Sequence, residues 1–446
     1  MLRIACFDGL PGPTHSHAGL SPGNVAASTH AGQAGNPKAA ALESLAKMRV
    51  IRGLGVPQAV LPPQPRPDVG TLRRLGFSGS DPEVIAGAAR TAGGRCLRLA
   101  SSASAMWTAN AATVAPSCDT PDGRVHLTVA NLASNFHRSL EVPTTFAVLQ
   151  ALFADPDHFV VHPALPASEL WSDEGAANHI RLSTARGVAH LFCWGKSHHE
   201  AAPSPARHPA RQTLEASRAL ARLHGLGEET AVFPQQDPLG IDAGAFHTDV
   251  LAFGHERFLM LHERAFVEVE KVIDDLRARL GGELVVALAR DADVPLHEAV
   301  ATYLFNSELC VLEGGRMVLV APRHAERCES TRRFLDRLVA EPTPVDRVEW
   351  VDLEASMKNG GGPACLRLPV PLTDAERASV RGRVFLDDAL ERELGAWVEK
   401  HYRDRLSLDD LADPALHAEG LVALDELTAL LKLGSVYDFQ KSGLPG

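Results

Sequence analysis

Residues 357–368 read Met-Lys-Asn-Gly-Gly-Gly-Pro-Ala-Cys-Leu-Arg-Leu and join a glycine-rich loop to a strand-like segment. Three consecutive glycines let the backbone adopt positive φ values and approach a ligand closely. Cys365 follows them at the mouth of a strand predicted over 366–370. The stretch therefore predicts a nucleophile on a rigid mount, although most free cysteines are small buried hydrophobic groups and that interpretation stays open.

Short strands and helices are predicted to alternate outward from this stretch along the whole chain, which indicates an α/β fold. The strands are predicted at 125–130, 250–253, 258–262, 284–289, 317–321 and 366–370. The helices are predicted at 214–226, 265–280, 330–339, 386–405 and 419–433. Two further helices begin at Asn36-Pro37, a cap followed by proline, and at Thr373–Glu376, a capping box. No linker divides the chain, and no repeat is visible as sequence self-similarity.

The composition excludes several classes of protein. Of 446 residues, 45% are hydrophobic and 22% are charged, as in a globular protein with a sizeable core. The net charge of -11 argues against a surface for nucleic acid or an anionic membrane. Seven scattered cysteines without a Cys-x-x-Cys pair fit a reducing compartment, and the longest apolar runs are far too short to span a bilayer. We expect a cytoplasmic protein.

His247 and Asp249 form a His-x-Asp pair within residues 246–250. If this segment is a strand, both side chains point to the same side of it. A histidine beside a carboxylate can act as a general base near neutral pH. The same spacing also occurs in metal half-sites and in ordinary surface pairs. No His-Glu-x-x-His motif or cysteine cluster supports a metal, so the base and the surface pair remain as hypotheses.

Asp173 and Glu174 precede a run of small residues, which is typical of a helix entrance. A carboxylate here would also match the planar donors of a guanidinium group. Three other segments are suited to anions, namely residues 18–28, the pair His137-Arg138, and residues 209–212. Each is equally explained as a structural loop or a surface ion pair. The serine-rich stretch 101–113 lacks a Gly-x-Ser-x-Gly elbow, so we interpret it as small-residue packing.

Together these segments resemble the N-succinylarginine dihydrolase family of guanidino-group-modifying enzymes. The matching stretches are 7–10, 14–15, 18–21, 75–81, 101–116, 125–132, 136–141, 173–179, 209–213, 302–307, 359–368 and 402–406. The resemblance covers essentially the whole chain and implies one catalytic domain over 1–446. The implied fold is a five-fold pseudo-symmetric α/β propeller, or pentein. The sequence departs from the family pattern at Ser16-His17, Ala105 and Thr248.

The resemblance also implies roles for individual residues. Cys365 would be the nucleophile, His247 the general acid/base, and Glu174 the carboxylate that holds the guanidinium and supports His247. The implied substrate-binding residues are Ala18, Gly19, Leu20, Ser21, Pro22, Gly23, Asn24, Val25, Ala26, Ala27, Asn110, His137, Arg138, Arg211, Asp249 and Asn359. No metal and no cofactor are implied.

The implied reaction converts N-succinyl-L-arginine into N-succinyl-L-ornithine, two ammonia and carbon dioxide through a covalent cysteine intermediate. It belongs to arginine catabolism by the succinyl pathway, and the resemblance further implies a homodimer. Three competing hypotheses stay open. They are a guanidino hydrolase that stops after one ammonia, a non-catalytic protein that binds an arginine-like ligand, and a metallohydrolase. Product stoichiometry, thiol reactivity and sensitivity to chelators distinguish them.

Overall fold

The computed structural model describes residues 2–442, in which fifteen strands form five three-stranded units. The first unit contains β1 (Arg3–Gly9), β2 (Gln58–Leu61) and β15 (Arg367–Leu372), and the second contains β3 (Ala112–Ala115), β4 (Val125–Val129) and β5 (Phe159–His162). The third contains β6 (His179–Ser183), β7 (Val188–Phe192) and β8 (Ala231–Val232), and the fourth contains β9 (Ala252–Glu256), β10 (Phe258–His262) and β11 (Val285–Ala289). The fifth contains β12 (Glu308–Val311), β13 (Met317–Pro322) and β14 (Val345–Val351).

All five units share one pairing pattern. The middle strand of each unit (β1, β4, β7, β10 or β13) pairs antiparallel with one neighbour and parallel with the other. The third and fourth units merge into one six-stranded sheet through a short parallel contact between β6 and β9. The last strand, β15, pairs with β1 and so completes the first unit with the end of the chain. This repeated pattern confirms the predicted five-fold pseudo-symmetric α/β propeller.

Helices connect and cover these units. In chain order they are α1 (Val25–Thr29), α2 (Pro37–Gly53), α3 (Val69–Arg74), α4 (Asp81–Arg90), α5 (Arg95–Ala100), α6 (Phe136–Ser139), α7 (Val142–Leu152), α8 (Leu214–Leu223), α9 (Pro238–Asp242), α10 (Val269–Leu280), α11 (Leu296–Thr302), α12 (Arg323–Arg327), α13 (Glu329–Ala340), α14 (Glu354–Lys358), α15 (Asp374–Ser379), α16 (Asp388–His401), α17 (Pro414–Leu430) and α18 (Asp438–Ser442). None of the helices in the described chain is both long and apolar enough to cross a membrane.

Local capping determines where several helices begin. Asn36 caps α2 by accepting a hydrogen bond from the N–H of Ala39, as predicted, and Thr373 opens α15 with the predicted capping box. The structure starts α17 five residues earlier than the sequence prediction, because Asp413 caps it and Pro414 occupies its first turn.

Two large apolar clusters pack around the strands. One joins the first two units to the C-terminal helices and includes Phe7, Leu127 and Trp397. The other joins the third, fourth and fifth units and includes Leu191 and Met260. Because both faces of the sheets are covered, the middle strands are almost continuously buried, including polar residues such as His126 and Thr128 of β4.

The bounds predicted for the strand near His247 are wrong. His247 is extended, but Thr248–Val250 forms a 3₁₀ turn and β9 begins only at Ala252. The N–H of Thr248 donates to the side-chain oxygen of Asn178 at 2.8 Å, so it is not available to a neighbouring strand. His247 and Asp249 are therefore presented by a turn and not by a regular strand.

Candidate active site

Cys365 lies in a 3₁₀ turn, Ala364–Leu366, immediately before β15. The glycine loop ahead of it needs glycine for two reasons. Gly360 has a φ of +89°, which favours glycine, and a Cβ on Gly361 would approach the ring nitrogen of Trp107 to 2.3 Å. The backbone N–H of Cys365 donates to Oδ1 of Asn306 at 3.2 Å. The thiol is thus held by a tightly packed loop on one side and by a strand on the other.

The thiol of Cys365 faces a carboxyl group. Its Sγ lies 3.8 Å from Oδ2 of Asp249, and Asn306 also donates to the backbone carbonyl of Asp249 at 3.3 Å. Burial, with a smaller contribution from Asp249, raises the pKa of the Cys365 thiol well above its usual range. Burial also raises the pKa of Asp249 to about 7. The pair is therefore short of positive charge, and a bound cation would favour both anions.

Glu174 and His247 form a second buried pair. Nε2 of His247 donates to Oε2 of Glu174 at 2.7 Å, and the same oxygen accepts from Arg138 at 3.0 Å. Oε1 accepts from the hydroxyl of Ser134. Burial alone would raise the pKa of Glu174, but Arg138 and the bond from His247 hold it well below its usual range. Burial lowers the pKa of His247 to about 4 despite the opposing effect of Glu174. The pair is thus a carboxylate and a neutral imidazole at pH 7.

The backbone around Glu174 explains why its side chain reaches the site. Asp173 caps the backbone that follows it, as the sequence predicts for a helix entrance. Its Oδ1 accepts a hydrogen bond from the N–H of Gly175 at 3.1 Å. The N–H of Glu174 donates to Gln212 at 2.7 Å, and its carbonyl accepts from Asn110 at 2.6 Å. Glu174 is therefore fixed by its main chain, which leaves its carboxylate for Arg138 and His247.

Two buried arginines approach Glu174. Arg138 is 1% exposed and Arg211 is 2% exposed. Nη2 of Arg211 donates to the carbonyl of Pro22 at 3.0 Å, and its guanidinium lies 4.5 Å from the centre of the Phe246 ring. Within residues 2–442, Nε and Nη2 of Arg138 and Nε of Arg211 have no hydrogen-bond partner. Such buried donors are suited to the carboxylates of a ligand.

A polar pocket lies between the loop 18–27, His137 and Asn359. The hydroxyl of Ser21 lies 3.0 Å from Nε2 of His137. Asn24 caps α1 with its oxygen and donates with its nitrogen to the carbonyl of Asn359 at 2.9 Å. The Asn359 side chain in turn receives a hydrogen bond from Nδ1 of His17 at 3.1 Å. The departures at Ser16-His17 therefore lie at this pocket.

Most of the residues predicted from the resemblance come together, although not all of them face the pocket. Ala18, Gly19, Leu20, Ser21, Asn24, Ala27, His137 and Asn359 line it. Pro22 contributes its carbonyl to Arg211, and Asn110 and Asp249 lie with Glu174 and Cys365. Val25 is 50% exposed and lies on the outside of the loop, and Gly23 and Ala26 do not line the pocket.

Sequence reasoning did not assign a role to four residues of the site. Asn306 contacts both Cys365 and Asp249, Ser134 binds Glu174, Gln212 holds the backbone of Glu174, and Trp107 packs against the glycine loop. Trp107, Gln212 and Asn306 lie in stretches that matched the family, which was the only available signal for them. Among the described residues, no group of three or more histidine, cysteine, aspartate and glutamate side chains is arranged to hold a metal ion.

Comparison with known proteins identifies relatives of this chain. The family model described as succinylarginine dihydrolase matches residues 3–440. The chain is 56% identical over 441 residues to a Myxococcus xanthus protein named N-succinylarginine dihydrolase, which covers 99% of this chain and 100% of that protein. This chain belongs to the succinylarginine dihydrolase family. Another family member, from Chromohalobacter salexigens and of the same name, is 53% identical over 443 residues, covering 98% of this chain and 99% of the relative.

Solved structures similar to this member of the succinylarginine dihydrolase family share its fold at low identity. The apo structure of ArgZ, a cyanobacterial arginine dihydrolase, has a TM-score of 0.51 at 13% identity over 83% of this chain and 42% of its own. A mutant of AgrE in complex with L-arginine has a TM-score of 0.51 at 14% identity over 84% of this chain and 40% of its own. Both support the propeller architecture.

Proposed function

We propose that this chain is an N-succinylarginine dihydrolase, which hydrolyses N-succinyl-L-arginine to N-succinyl-L-ornithine, two ammonia and carbon dioxide in arginine catabolism. Relatives at 53–56% identity carry that name. The observation that carries the proposal is the buried arrangement of Cys365 against Asp249 beside the pair of Glu174 and His247, in a chain of this family. A thiol, a fixed carboxylate and an oriented imidazole are the groups that attack on a guanidinium carbon requires.

Binding of the guanidinium activates the site. Asp249 is the carboxylate that contacts the thiol, and its Oδ1 has no hydrogen-bond partner in the described chain. Both oxygens of Glu174 are already engaged, so the geometry favours Asp249 for holding the guanidinium and Glu174 for supporting His247. The substrate cation lowers the pKa of both Asp249 and Cys365, so the thiolate forms when the substrate is in place.

His247 moves the protons. Its Nε2 is engaged by Glu174, while its Nδ1 has no partner in residues 2–442 and is the atom available to the reaction. The thiol proton passes to His247, sulfur attacks the guanidinium carbon, and His247 returns the proton to the departing ammonia. Water then attacks the cationic amidino-thioether, gives one proton to His247 and the other to the departing sulfur, and releases N-succinylcitrulline with the thiol restored.

A second cycle acts on the ureido group. Sulfur attacks its carbon, the second ammonia departs, and water cleaves the thiocarbamate to a carbamate that loses carbon dioxide. The sum is one N-succinylarginine and two waters for one N-succinylornithine, two ammonia and one carbon dioxide. Preorganised carboxylates supply orientation and charge stabilisation in both cycles.

The two arginines select the acylated substrate. N-succinylarginine carries two carboxylates, one on its α-carbon and one on the succinyl group, whereas free arginine carries only the first. The spare N–H groups of Arg138 and Arg211 offer partners for both carboxylates. Ser21, His137 and Asn359 line the pocket next to these arginines and provide neutral hydrogen-bond partners. A substrate without the succinyl group leaves these buried donors unpaired, which lowers its affinity.

Three further features stay predictions. They are a single catalytic domain over residues 1–446, a cytoplasmic location and a homodimer. All seven cysteines are free in the structure, which is consistent with a reducing compartment. The pseudo-symmetric ring closed by β1 and β15 is consistent with one domain.

The test is to incubate the purified protein with N-succinylarginine and, separately, with free arginine, and to count the ammonia. We expect two ammonia per N-succinylornithine from the first and little from the second. One ammonia with N-succinylcitrulline as the final product would identify a deiminase-type enzyme. Binding without any ammonia would identify a non-catalytic protein. The Cys365→Ser variant is the matched control for contaminating activity.

A further inference from the structure

A second cavity lies along the pseudo-five-fold axis, because all five units contribute to its wall. The strand residues that line it are Ile4, Val114, Ile180, Gly254, Leu309 and Pro369. Ile4 and Pro369 belong to the first unit, and each of the others belongs to a different unit. The volume of this cavity is about 90 Å³. The propeller is therefore not filled along its axis.

The inner end of this axial cavity reaches the reacting centre. Asp249 lines it, and Oδ2 of Asp249 is 3.8 Å from the sulfur of Cys365. Ala364, the residue before Cys365, lines it as well, and so does Ala109, the residue before Asn110. The cavity thus ends against the turns that carry the thiol and its carboxylate.

The outer end leads towards solvent. A neighbouring cavity shares Ile4, His255 and Leu309 with the axial cavity. That outer cavity is also lined by Arg3 and Glu313, whose side chains are 43% and 86% exposed. Ile4, His255 and Leu309 thus lie between the two adjacent cavities, which together extend from exposed side chains to Asp249 and are called the path below.

This path is separate from the substrate pocket. None of the residues 18–27 is among those that line the axial cavity in the described chain. The catalytic side chains are closed off from bulk solvent, since Cys365 is 3% exposed, His247 is 1% exposed and Glu174 is 0% exposed. Small molecules that reach the sulfur along the axis therefore do not have to cross the loop that binds the substrate.

The wall of the axial cavity is mainly apolar but carries a few polar groups that water could contact. Oδ1 of Asp249 and Nε of Arg367 have no hydrogen-bond partner in the described chain, and both residues line the cavity. His255 lines it at the junction with the outer cavity, and burial lowers its pKa to about 3, so it is neutral at pH 7. A cavity of about 90 Å³ that carries such polar atoms has room for water.

We propose that the axial cavity supplies water to the reacting centre and releases ammonia from it while the substrate loop stays in place. This inference rests on the proposed function. The two cycles consume two waters and release two ammonia and one carbon dioxide, and the ureido intermediate has to remain bound between them. A separate route for small molecules allows this exchange without opening the substrate pocket.

The test is to close the path at Ile4, which is partly exposed and lies where the two cavities meet. In Ile4→Trp we expect kcat to fall at least tenfold and KM to fall with it, because hydrolysis of the covalent adduct becomes rate-limiting while kcat/KM stays within about twofold. Acid-quenched samples should show the covalent adduct on Cys365 as a major steady-state species. Free N-succinylcitrulline should rise at least fivefold, because water then enters only when the substrate loop opens.

Two controls separate a closed path from a damaged fold. Ile4→Ala leaves the path open and should behave like the wild type. Leu2→Trp places the same ring at the wall of the outer cavity only, and it should also retain kcat. His255→Trp is an independent closure at the junction and decides the matter if Ile4→Trp does not fold.

Wild-type kcat without adduct accumulation in a folded Ile4→Trp or His255→Trp variant would overturn the axial route. A wild-type protein that releases no ammonia would instead refute the proposed function, so the two failures are distinguishable.

Discussion

Two buried groups of charged side chains differ in how completely they are paired. The first, which we call the core ion cluster, consists of Lys47, Asp8 and Glu308, all with fully buried side chains. Nζ of Lys47 lies 2.6 Å from Asp8 and also contacts Glu308. Gln58 donates to the other oxygen of Asp8 at 3.0 Å, and Cys6 donates to Glu308 at 3.1 Å. The cluster links β1, α2 and β12, and because Arg367 lies 3.7 Å from Glu308, its two carboxylates face two cations.

The active site has the same degree of burial but is left open. Nδ1 of His247, Oδ1 of Asp249 and three nitrogens of Arg138 and Arg211 have no hydrogen-bond partner among the described residues. Each unpaired buried polar atom costs free energy unless a ligand or water satisfies it. The difference shows that a buried group of charged side chains stabilises the fold when its members pair with one another. Such a group is suited to binding when some of its polar atoms lack partners and match those of a substrate.

Replacement of the nucleophile should give the largest effect. We expect Cys365→Ser to lower ammonia release at least ~1,000-fold, because the hydroxyl is not ionised by the bound cation as a thiol is. Binding of N-succinylarginine, measured by calorimetry, should survive. Near-normal turnover in this variant would remove Cys365 from the mechanism.

Removal of Lys47 from the core ion cluster should instead lower the stability of the fold. Lys47→Met leaves Asp8 buried without a cation and Glu308 with Arg367 alone, which is expected to lower the free energy of unfolding by about 3–5 kcal/mol. The folded fraction should retain most of its kcat. The matched control is Lys38→Met, because Lys38 pairs with Glu399 at the surface and such pairs contribute at most about 1 kcal/mol. Equal losses in the two variants, measured by urea unfolding, would contradict the contrast.

The pH dependence of kcat/KM should report the titration of Asp249, whose Oδ1 has no hydrogen-bond partner in the described chain. Burial raises its pKa to about 7, so below that pH it is protonated and lacks the charge that attracts a guanidinium. We expect kcat/KM to fall by up to about tenfold per pH unit below pH 7, since kcat/KM reports groups of the free enzyme. In Asp249→Asn the remaining activity should lose this limb. An unchanged limb in that variant would assign it to another group.

The departure at Thr248 should have the smallest effect. Thr248 is held through its backbone N–H by Asn178, and asparagine offers the same N–H. Thr248→Asn should therefore change kcat/KM for N-succinylarginine less than about threefold. A larger change would show that the side chain at 248 influences His247, and steady-state kinetics decide this.

Local signals predicted much of the secondary structure but not the pairing of the strands. The strand Phe258–His262 and the capped starts of α2 and α15 agree with the sequence prediction. Strands such as β8, with two residues, are too short to show a hydrophobic period. The five units share a backbone pattern and not a sequence, so self-similarity could not indicate the pseudo-symmetry, which came from the family resemblance alone.

The same distinction applies to the site. Patterns around Cys365, His247 and Glu174 indicated chemistry, but each left an ordinary structural interpretation open until the resemblance was considered. Asn306, which contacts Cys365 and Asp249, has no local signal because its role depends on contacts across 59 and 57 positions of the chain. The axial cavity is likewise invisible in the sequence, since it is defined by strands from five separate regions.

The most direct test of the account is mass spectrometry of the acid-quenched protein during turnover of N-succinylarginine. We predict an adduct of the amidino or carbamoyl carbon, with its attached N-succinylornithine moiety, on the peptide that contains Cys365 and on no other cysteine. Turnover at an undiminished rate with every cysteine unmodified at all quench times, and persisting in Cys365→Ser, would contradict the account.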